Sequence, residues 1–523
     1  MSETGIKKYF LSKNLKKDIP ASVVVFLVAL PLCLGIALAS GAPLFAGLIT
    51  GIVGGIVTAS ISGSQLSVSG PAAGLTVIVL SSITALGSYE LFLAAVVIAG
   101  IFQIILGFLK AGTIGNYFPS SVIDGMLAAI GVILILKQIP HAVGYDKDYV
   151  GDEGFKQAGD ENTFTALFSA FEHINMGAVI ISLVALSILI FWPKIKKLAA
   201  IPAALIVVVL GIVLAQAFEG TAFALMADQK VQIPVVNNFN EFLGLFTFPD
   251  FSNLANKELW RVAITIAIVA SIETLLSLEA VDKIDPIKRV SPTNKELVAQ
   301  GVGNTFSGLI GGLPMTAVIV RSSANVNAGG RTKMSAIFHG VWLLVALLFI
   351  PTVINLIPLS ALAAILLMTG YKLANPAIIK KMFKLGWSQF IPFAVTLLAV
   401  VFTDLLIGVA IGMSVGVLYI LRTNMRNAYF YKLEKSSDGS KVFNLTLSEE
   451  VSFLNKGAIQ YALTNLPSDS KVVINAQQSK YIDHDVLEVI NNFNNNAKTK
   501  NIVVELVGFK ESYQLPEKSG IDI

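Results

Sequence analysis

The chain has 523 residues, 54% hydrophobic and only 14% charged, where a soluble domain carries about 25% charged residues; this excludes a soluble globular protein and indicates a polytopic membrane protein. The net charge of +4 is small and gathers at the edges of apolar runs, so it bears on topology and not on nucleic acid. One cysteine, Cys33, and four scattered histidines exclude an intramolecular disulfide and leave no metal-ligand spacing.

Met1–Lys17 is basic (Lys7, Lys8, Lys13, Lys16, Lys17) and runs into an apolar stretch with no small-residue cleavage site, so it reads as the flank of an uncleaved first span. A span needs roughly 20 apolar residues. Fourteen candidates follow: Ala21–Ser40, Ala42–Ile61, Val68–Leu86 (interrupted), Leu91–Leu109, Ser121–Ile139, Met176–Trp192, Ile201–Phe218, Trp260–Ala280, Lys295–Gly311, Ala317–Ala328 (interrupted), Lys333–Ile350, Pro351–Tyr371, Phe390–Val401 and Leu405–Leu421. With this count the basic loops (Lys110; Lys194, Lys196 and Lys197; Lys283, Lys288 and Arg289; Arg331 and Lys333; Lys380, Lys381 and Lys384; Arg422 and Arg426) share one side with the N-terminus. The acidic loop Gly144–Glu172 (Asp146, Asp148, Asp152, Glu153, Asp160, Glu161) and the segment Gly220–Lys257 fall on the other. Both termini are therefore expected in the cytoplasm, in a bacterial inner membrane.

Two spans cannot be ordinary helices. In Gln65–Thr76 a short extended piece meets Gly70-Pro71 before a helix begins, and proline suits a first helical turn. In Gly311–Thr332, Gly311, Gly312 and Pro314 break the helix, Ala317–Val320 is short and β-branched, and Arg321 precedes Ser322 and Ser323. The extended piece is expected over Ala317–Val320, with the serines capping a helix whose free N–H groups point back at Arg321. A charge and a broken backbone at membrane depth are costly unless they line a cavity, and a helix N-terminus beside an arginine suits an anion. Matching interruptions in spans three and ten indicate two inverted seven-span repeats with the site between them.

After Arg426 the composition changes. Ser436-Ser437-Asp438-Gly439 lies in a polar stretch, and Lys441–Phe509 alternates strand, helix, strand, helix, strand, the pattern of a small α/β domain. The expected organisation is an N-terminal segment 1–20, a transmembrane anion-transport domain 21–426, a linker 427–441 and an α/β domain 442–523.

Arg321-Ser-Ser-Ala-Asn-Val-Asn-Ala-Gly-Gly-Arg-Thr332 resembles the span-ten signature of the SulP family of inorganic-anion transporters, which includes sulfate permeases and bacterial bicarbonate transporters. Val68-Ser-Gly-Pro71 and Glu273-Thr-Leu-Leu-Ser277 are similar to its third- and eighth-span motifs, and the C-terminal segment resembles a short STAS domain. The resemblance implies two inverted seven-span repeats, a homodimer and elevator-type alternating access. The chain departs from the family at Pro31-Leu32, where many members have Pro-Gln, and at Ala317-Val-Ile-Val320, where many have a hydroxyl-rich stretch. Asp483-His484-Asp485 stands at the regulatory phosphoacceptor position, so phosphorylation switching is not expected there. The bicarbonate branch also lacks the arginine that this chain keeps.

The expected anion-binding residues are Ala72, Ala73, Gly74, Val320, Arg321 and Ser322. Glu273, in an otherwise apolar span, is the candidate H⁺ or Na⁺ site, with Ser277 one turn along on the same face. The alternative for Arg321 and Glu273 is structural pairing with each other. No other metal or cofactor is expected. The leading function is secondary-active transport of a small oxyanion, sulfate or bicarbonate, coupled to Na⁺ or H⁺ or working as exchange. An anion channel and an organic-anion or nucleobase permease are the rivals. The partners are a small inorganic anion, the lipid bilayer and a second copy of the chain. With no nucleophile–base pair or phosphate loop, an enzyme is not expected.

Overall fold

A computed structural model describes residues 3–147, 155, 162–195, 202–233, 235, 239–435 and 441–510, with side chains from Asn14 onward except those of Phe239, Asn240, Phe242, Arg426, Lys435 and Lys441. Asp148, Asp152, Glu153, Asp160, Glu161, Lys196, Lys197, Ser436–Gly439 and the tail after Glu511 lie outside the described residues, as do the side chains of Lys7, Lys8 and Lys13. The chain forms two compact units, Met1–Met413 and Ser414–Ile523.

Fourteen helices correspond to the fourteen expected spans. The first seven are α1 (Glu3–Ala39), α2 (Leu44–Val53, continued to Ile61), α3 (Thr76–Leu86), α4 (Tyr89–Phe108), α5 (Ser120–Val143), α6 (Met176–Phe191) and α7 (Ala203–Ala217). The second seven are α8 (Lys257–Ile284), α9 (Thr293–Leu309), α10 (Ile319–Asn327), α11 (Met334–Phe349), α12 (Leu359–Leu373), α13 (Trp387–Phe402) and α14 (Leu405–Arg426). Eight of the helices are long and apolar enough to cross a membrane, and four more are apolar but shorter. The twelfth expected span, Pro351–Tyr371, is in fact a short helix Pro351–Ile354 followed by α12; Pro358 sits in extended backbone at the N-cap of α12, so one helix cannot run through it.

Strands β1 (Ser69–Pro71) and β2 (Met315–Ala317) precede α3 and α10 and pair antiparallel, with Ser69 opposite Ala317, Gly70 opposite Thr316 and Pro71 opposite Met315. The extended piece of span ten thus lies two to three residues earlier than Ala317–Val320 suggested: Val318 is the N-cap, and Val320 is already helical. The second unit holds a four-stranded sheet in the order β3 (Tyr429–Lys435), β4 (Lys441–Leu447), β6 (Lys471–Asn475), β8 (Val503–Val507), with a small pair β5 (Glu450–Val451) and β7 (Tyr481–Ile482). Helices α15 (Lys456–Thr464) and α16 (His484–Asn496) connect strands of the parallel part. Tyr429–Lys435, assigned to the linker from its polarity, is an edge strand paired with β4.

Helices of the first unit cross where neither has a side chain. A Cβ on Gly131 of α5 would stand 2.7 Å from the carbonyl of Gly370 in α12, and one on Gly301 of α9 would stand 2.6 Å from that of Gly100 in α4. Such small-residue crossings supply the packing that apolar burial cannot supply in lipid. At Gly47 in α2 a Cβ would come within 1.9 Å of the Cys33 carbonyl. Overpacking of this kind costs about 1–3 kcal/mol. Gly47→Ala is therefore expected to lower the temperature at which detergent-solubilised protein loses its monodisperse peak, whereas Gly457→Ala, with nothing within 4 Å of the new Cβ, leaves it unchanged or raised.

Candidate functional site

The antiparallel register sends the two chains out of opposite ends of the ladder. β1 leads through Ala72 and a 3₁₀ turn (Ala73–Leu75) into α3, and β2 leads through Val318 into α10. The N-terminal ends of both helices therefore converge on a ladder only three residues long. The first turns of each helix carry N–H groups with no carbonyl one turn back to bind, and both positive helix ends bear on the same small volume. Ala73 and Gly74 are half-buried, as is Val318, whereas Val320, Arg321 and Ser322 are buried. The half-buried positions at this point are thus Ala73, Gly74 and Val318, not the side chains of α10's first turn.

Arg321 is fully enclosed, at 0% exposure. Its guanidinium lies over Gly70, where a Cβ would come within 1.9 Å of Nη1. Nη2 donates to the Pro71 carbonyl at 3.4 Å, and no oxygen among the described residues accepts from Nε or Nη1. Cys33 of α1 lies beside it, and His339 of α11 is within reach of its charge. From the sequence Cys33 is only a lone thiol in an apolar span and His339 only a packed histidine, and nothing there places either beside Arg321. Their elements lie far from residue 321 in the chain, and no local pattern links them.

Ser322 and Ser323 do not cap α10. The Ser322 hydroxyl donates to the Val318 carbonyl at 2.7 Å and accepts from the Val68 N–H at 2.9 Å; it ties α10 to the strand before α3. The other half of the span-ten motif has a further fastening role. Asp18 of α1 accepts from the Arg331 N–H (2.6 Å), the Thr332 N–H (3.0 Å) and the Thr332 hydroxyl (2.5 Å).

Glu273 is 5% exposed on α8, and its carboxylate abuts Gly74, where a Cβ would stand 3.0 Å from Oε2. The structure thus brings Glu273 to the α3 end of the crossover and Arg321 to the β1 side, with Pro71 and Ala72 between them. Ser277 is buried one turn further along α8. The α8 hydroxyl that reaches the strands is Thr274, which accepts from the Ala317 N–H at 3.3 Å.

Buried amides hold the ladder. Asn304 of α9 grips Met315 at both ends, accepting from its N–H (2.6 Å) and donating to its carbonyl (3.1 Å), and also donates to Gln103 of α4 (2.6 Å). Gln300 donates to Ser69 (2.6 Å) and to Glu296 (3.0 Å), and Ser62 donates to the same Glu296 carboxylate. Asn325 donates to the Leu66 carbonyl at 3.1 Å. A run of polar residues on one face of an otherwise apolar span was the signal for Glu296, Gln300 and Asn304.

A model of the sulfate permease family matches residues 15–396. A Bacillus subtilis (strain 168) protein provisionally named as the sulfate transporter YvdB is 27% identical, covering 100% of this chain and 97% of that one. The bicarbonate transporter BicA of Picosynechococcus (strain PCC 7002) is 28% identical over 84% of this chain and 75% of its own. Among solved structures, the transmembrane domain of a cyanobacterial BicA superposes with a TM-score of 0.55 at 26% identity, covering 76% of this chain and 97% of that domain. SLC26A9 superposes at 0.66 and 14% identity, over 97% and 86%; at that identity the likeness is one of fold.

The amide clamp makes a direct prediction. Asn304→Ala strips both main-chain groups of Met315 of their side-chain partner in a water-poor interior, at about 1–3 kcal/mol for each buried group left unsatisfied. It should lower thermal stability more than Ser277→Ala does, as read by the same heating assay; equal melting of the two variants would refute the clamp.

Proposed function

The chain belongs to the sulfate permease family, and we propose that it carries a small oxyanion, sulfate or bicarbonate, by secondary-active alternating access, held between the N-terminal ends of α3 and α10. It is a membrane transporter of anions and not an enzyme, as its relatives are. The observation that carries the proposal is the convergence of two helix N-termini on one three-residue ladder, with a fully buried arginine across it. Oxyanions accept hydrogen bonds on every face, and such an end supplies N–H donors with a favourable dipole.

Two of the nearby hydroxyls, those of Ser322 and Thr76, already donate to main-chain carbonyls, whereas Ser69 keeps its own O–H and the buried Ser323 hydroxyl has no partner among the described residues. Ser69 accepts from Gln300, Ser322 is tied to Val318 and Val68, and Thr76 donates to the Ala73 carbonyl at 2.7 Å. Backbone N–H groups of Ala73, Gly74, Ile319 and Val320 are the main donors, which fits the absence of hydroxyls in Ala317–Val320. Arg321 supplies charge. Glu273 takes up the coupling proton, or Na⁺ together with the Ser277 hydroxyl; a hard cation prefers such oxygen ligands. Further parts of the proposal are a homodimer, both termini in the cytoplasm of a bacterial inner membrane, and a STAS-like role for the C-terminal unit. The positions of Lys110, Lys283 and Lys333 at one set of helix ends support that orientation.

Proteoliposome uptake of labelled sulfate and labelled bicarbonate, under a Na⁺ gradient and separately under a pH gradient, tests the roles. Wild type is expected to take up one of the two anions. Arg321→Ala should fall to the level of protein-free liposomes, and Glu273→Gln should keep exchange but lose dependence on the gradient. Normal uptake by Arg321→Ala would overturn the site.

A further inference from the structure

A cavity of about 480 Å³ opens within the first unit, on the side of the basic loops. Its walls come from the start of α1, the last turn of α10 and the turn after it, the end of α6, the start of α7, and α12. Four cationic side chains line it, Lys16, Lys17, Arg331 and Lys372, and no carboxylate does among the described residues. None of the four ammonium or guanidinium groups has an acidic or hydrogen-bonding partner among the described residues. The nearest acid in sequence, Asp18, is committed to the main chain and hydroxyl of Arg331–Thr332.

Lys16, Lys17 and Lys372 are exposed at the cavity mouth and Arg331 is half-buried, and an anion seated among them lowers their mutual repulsion. The volume falls in the range of organic-ligand sites, about 300–1,000 Å³, and far exceeds a single inorganic oxyanion. The remaining wall is apolar, including Leu189 and Ile365. A cationic mouth with an apolar wall fits an amphiphile with a phosphate head, and basic pockets between spanning helices on the cytoplasmic side take such headgroups. We propose that this cleft binds an anionic phospholipid, its phosphate held among Lys16, Lys17, Arg331 and Lys372 and an acyl chain lying along Leu189 and Ile365. The site is separate from the anion site of the preceding section and does not depend on which anion is carried. It bears on transport because α10 spans both: its first turn carries Arg321, and its last turn, Ala324 to Asn327, is cleft wall. A lipid between α1 and α10 on one side and α6, α7 and α12 on the other changes how readily those elements part.

The test uses full-length protein in neutral detergent, with thermal stability read against dioctanoyl phosphatidylglycerol, dioctanoyl phosphatidylcholine and inorganic phosphate at matched concentrations. The expected result is saturable stabilisation by phosphatidylglycerol alone, with apparent affinity falling about fivefold for each charge removed in Lys372→Gln, Arg331→Gln and their double variant. Lys372→Arg keeps the response and controls for folding. In proteoliposomes, adding phosphatidylglycerol to phosphatidylcholine should speed labelled-anion uptake by wild type and not by the double variant. Equal stabilisation by phosphatidylcholine, reproduction of the effect by inorganic phosphate, or an unchanged response in the double variant would each overturn the proposal. The stability arm needs no knowledge of the substrate, so its failure is distinct from failure of the transport reading.

Discussion

Two segments of extended backbone at membrane depth must satisfy each other, and much of the first unit follows from that requirement. An unpaired peptide group in hydrocarbon costs several kcal/mol. β1 and β2 remove that cost by pairing, and the Val318 N–H extends the ladder to the Val68 carbonyl at 2.9 Å. Antiparallel pairing is what two inverted halves deliver when their third spans meet. The same pairing turns both helix N-termini inward. The structural solution to a backbone problem thus also turns two donor-rich helix ends toward one point, and neither half could make that arrangement alone.

The ladder needs more than its own hydrogen bonds, and α9 shows where they come from. Glu296, Gln300, Asn304 and Ser307 are all buried, so α9 is too polar to stand as an independent span and is not among the helices apolar enough to cross a membrane. It holds its place by close packing on α4 through Gly301 and Gly308, where a Cβ would meet main-chain oxygens of Gly100 and Leu93 at 2.6 and 3.0 Å. Only at that distance can Asn304 join Gln103 to Met315. In α2 the π-helical turn Gly54–Thr58 serves the same end: Gly54 lies against the Ser69 carbonyl, and the Thr58 hydroxyl contacts the Met315 sulfur at 3.2 Å.

Helix existence was legible because apolar runs of span length are a local signal, and Gly70-Pro71 and Pro314 marked the two breaks for the same reason. Where α10 begins was not. β-branching over Ala317–Val320 favours extended backbone locally, but the partner strand ends at Ser69, so the ladder has nothing to pair with beyond Ala317 except one further bond to Val68. Tertiary register overrode propensity. The serine cap failed for a related reason: Ser322 sits in the helix, where its hydroxyl returns to the carbonyl four residues back. The residues around Arg321 came from α1 and α11, and contacts of that sequence separation leave no periodic trace. In the C-terminal unit, Tyr429–Lys435 escaped notice because an exposed edge strand with a polar face reads as linker until its partner is known.

The charges at the crossover set what such a site can exchange. Arg321 and two positive helix ends repel one another, and among the described residues the guanidinium has one long contact to a carbonyl oxygen. That cost is borne by the fold, and an arriving anion relieves it, which is how preorganised donors gain affinity without reorganising. Glu273 offsets part of the positive field from the far side of Ala72. Neutralising a carboxylate roughly 8 Å from a bound anion, at an effective dielectric of about 20, strengthens anion binding by about 2 kcal/mol. Linkage is reciprocal, so in the proposed mechanism the anion would strengthen binding of a proton or Na⁺ at Glu273 by the same factor. Coupling of this kind needs no relay through intervening residues. It needs only that Gly74 stay a glycine, so that the carboxylate can lie against the backbone proposed to hold the anion.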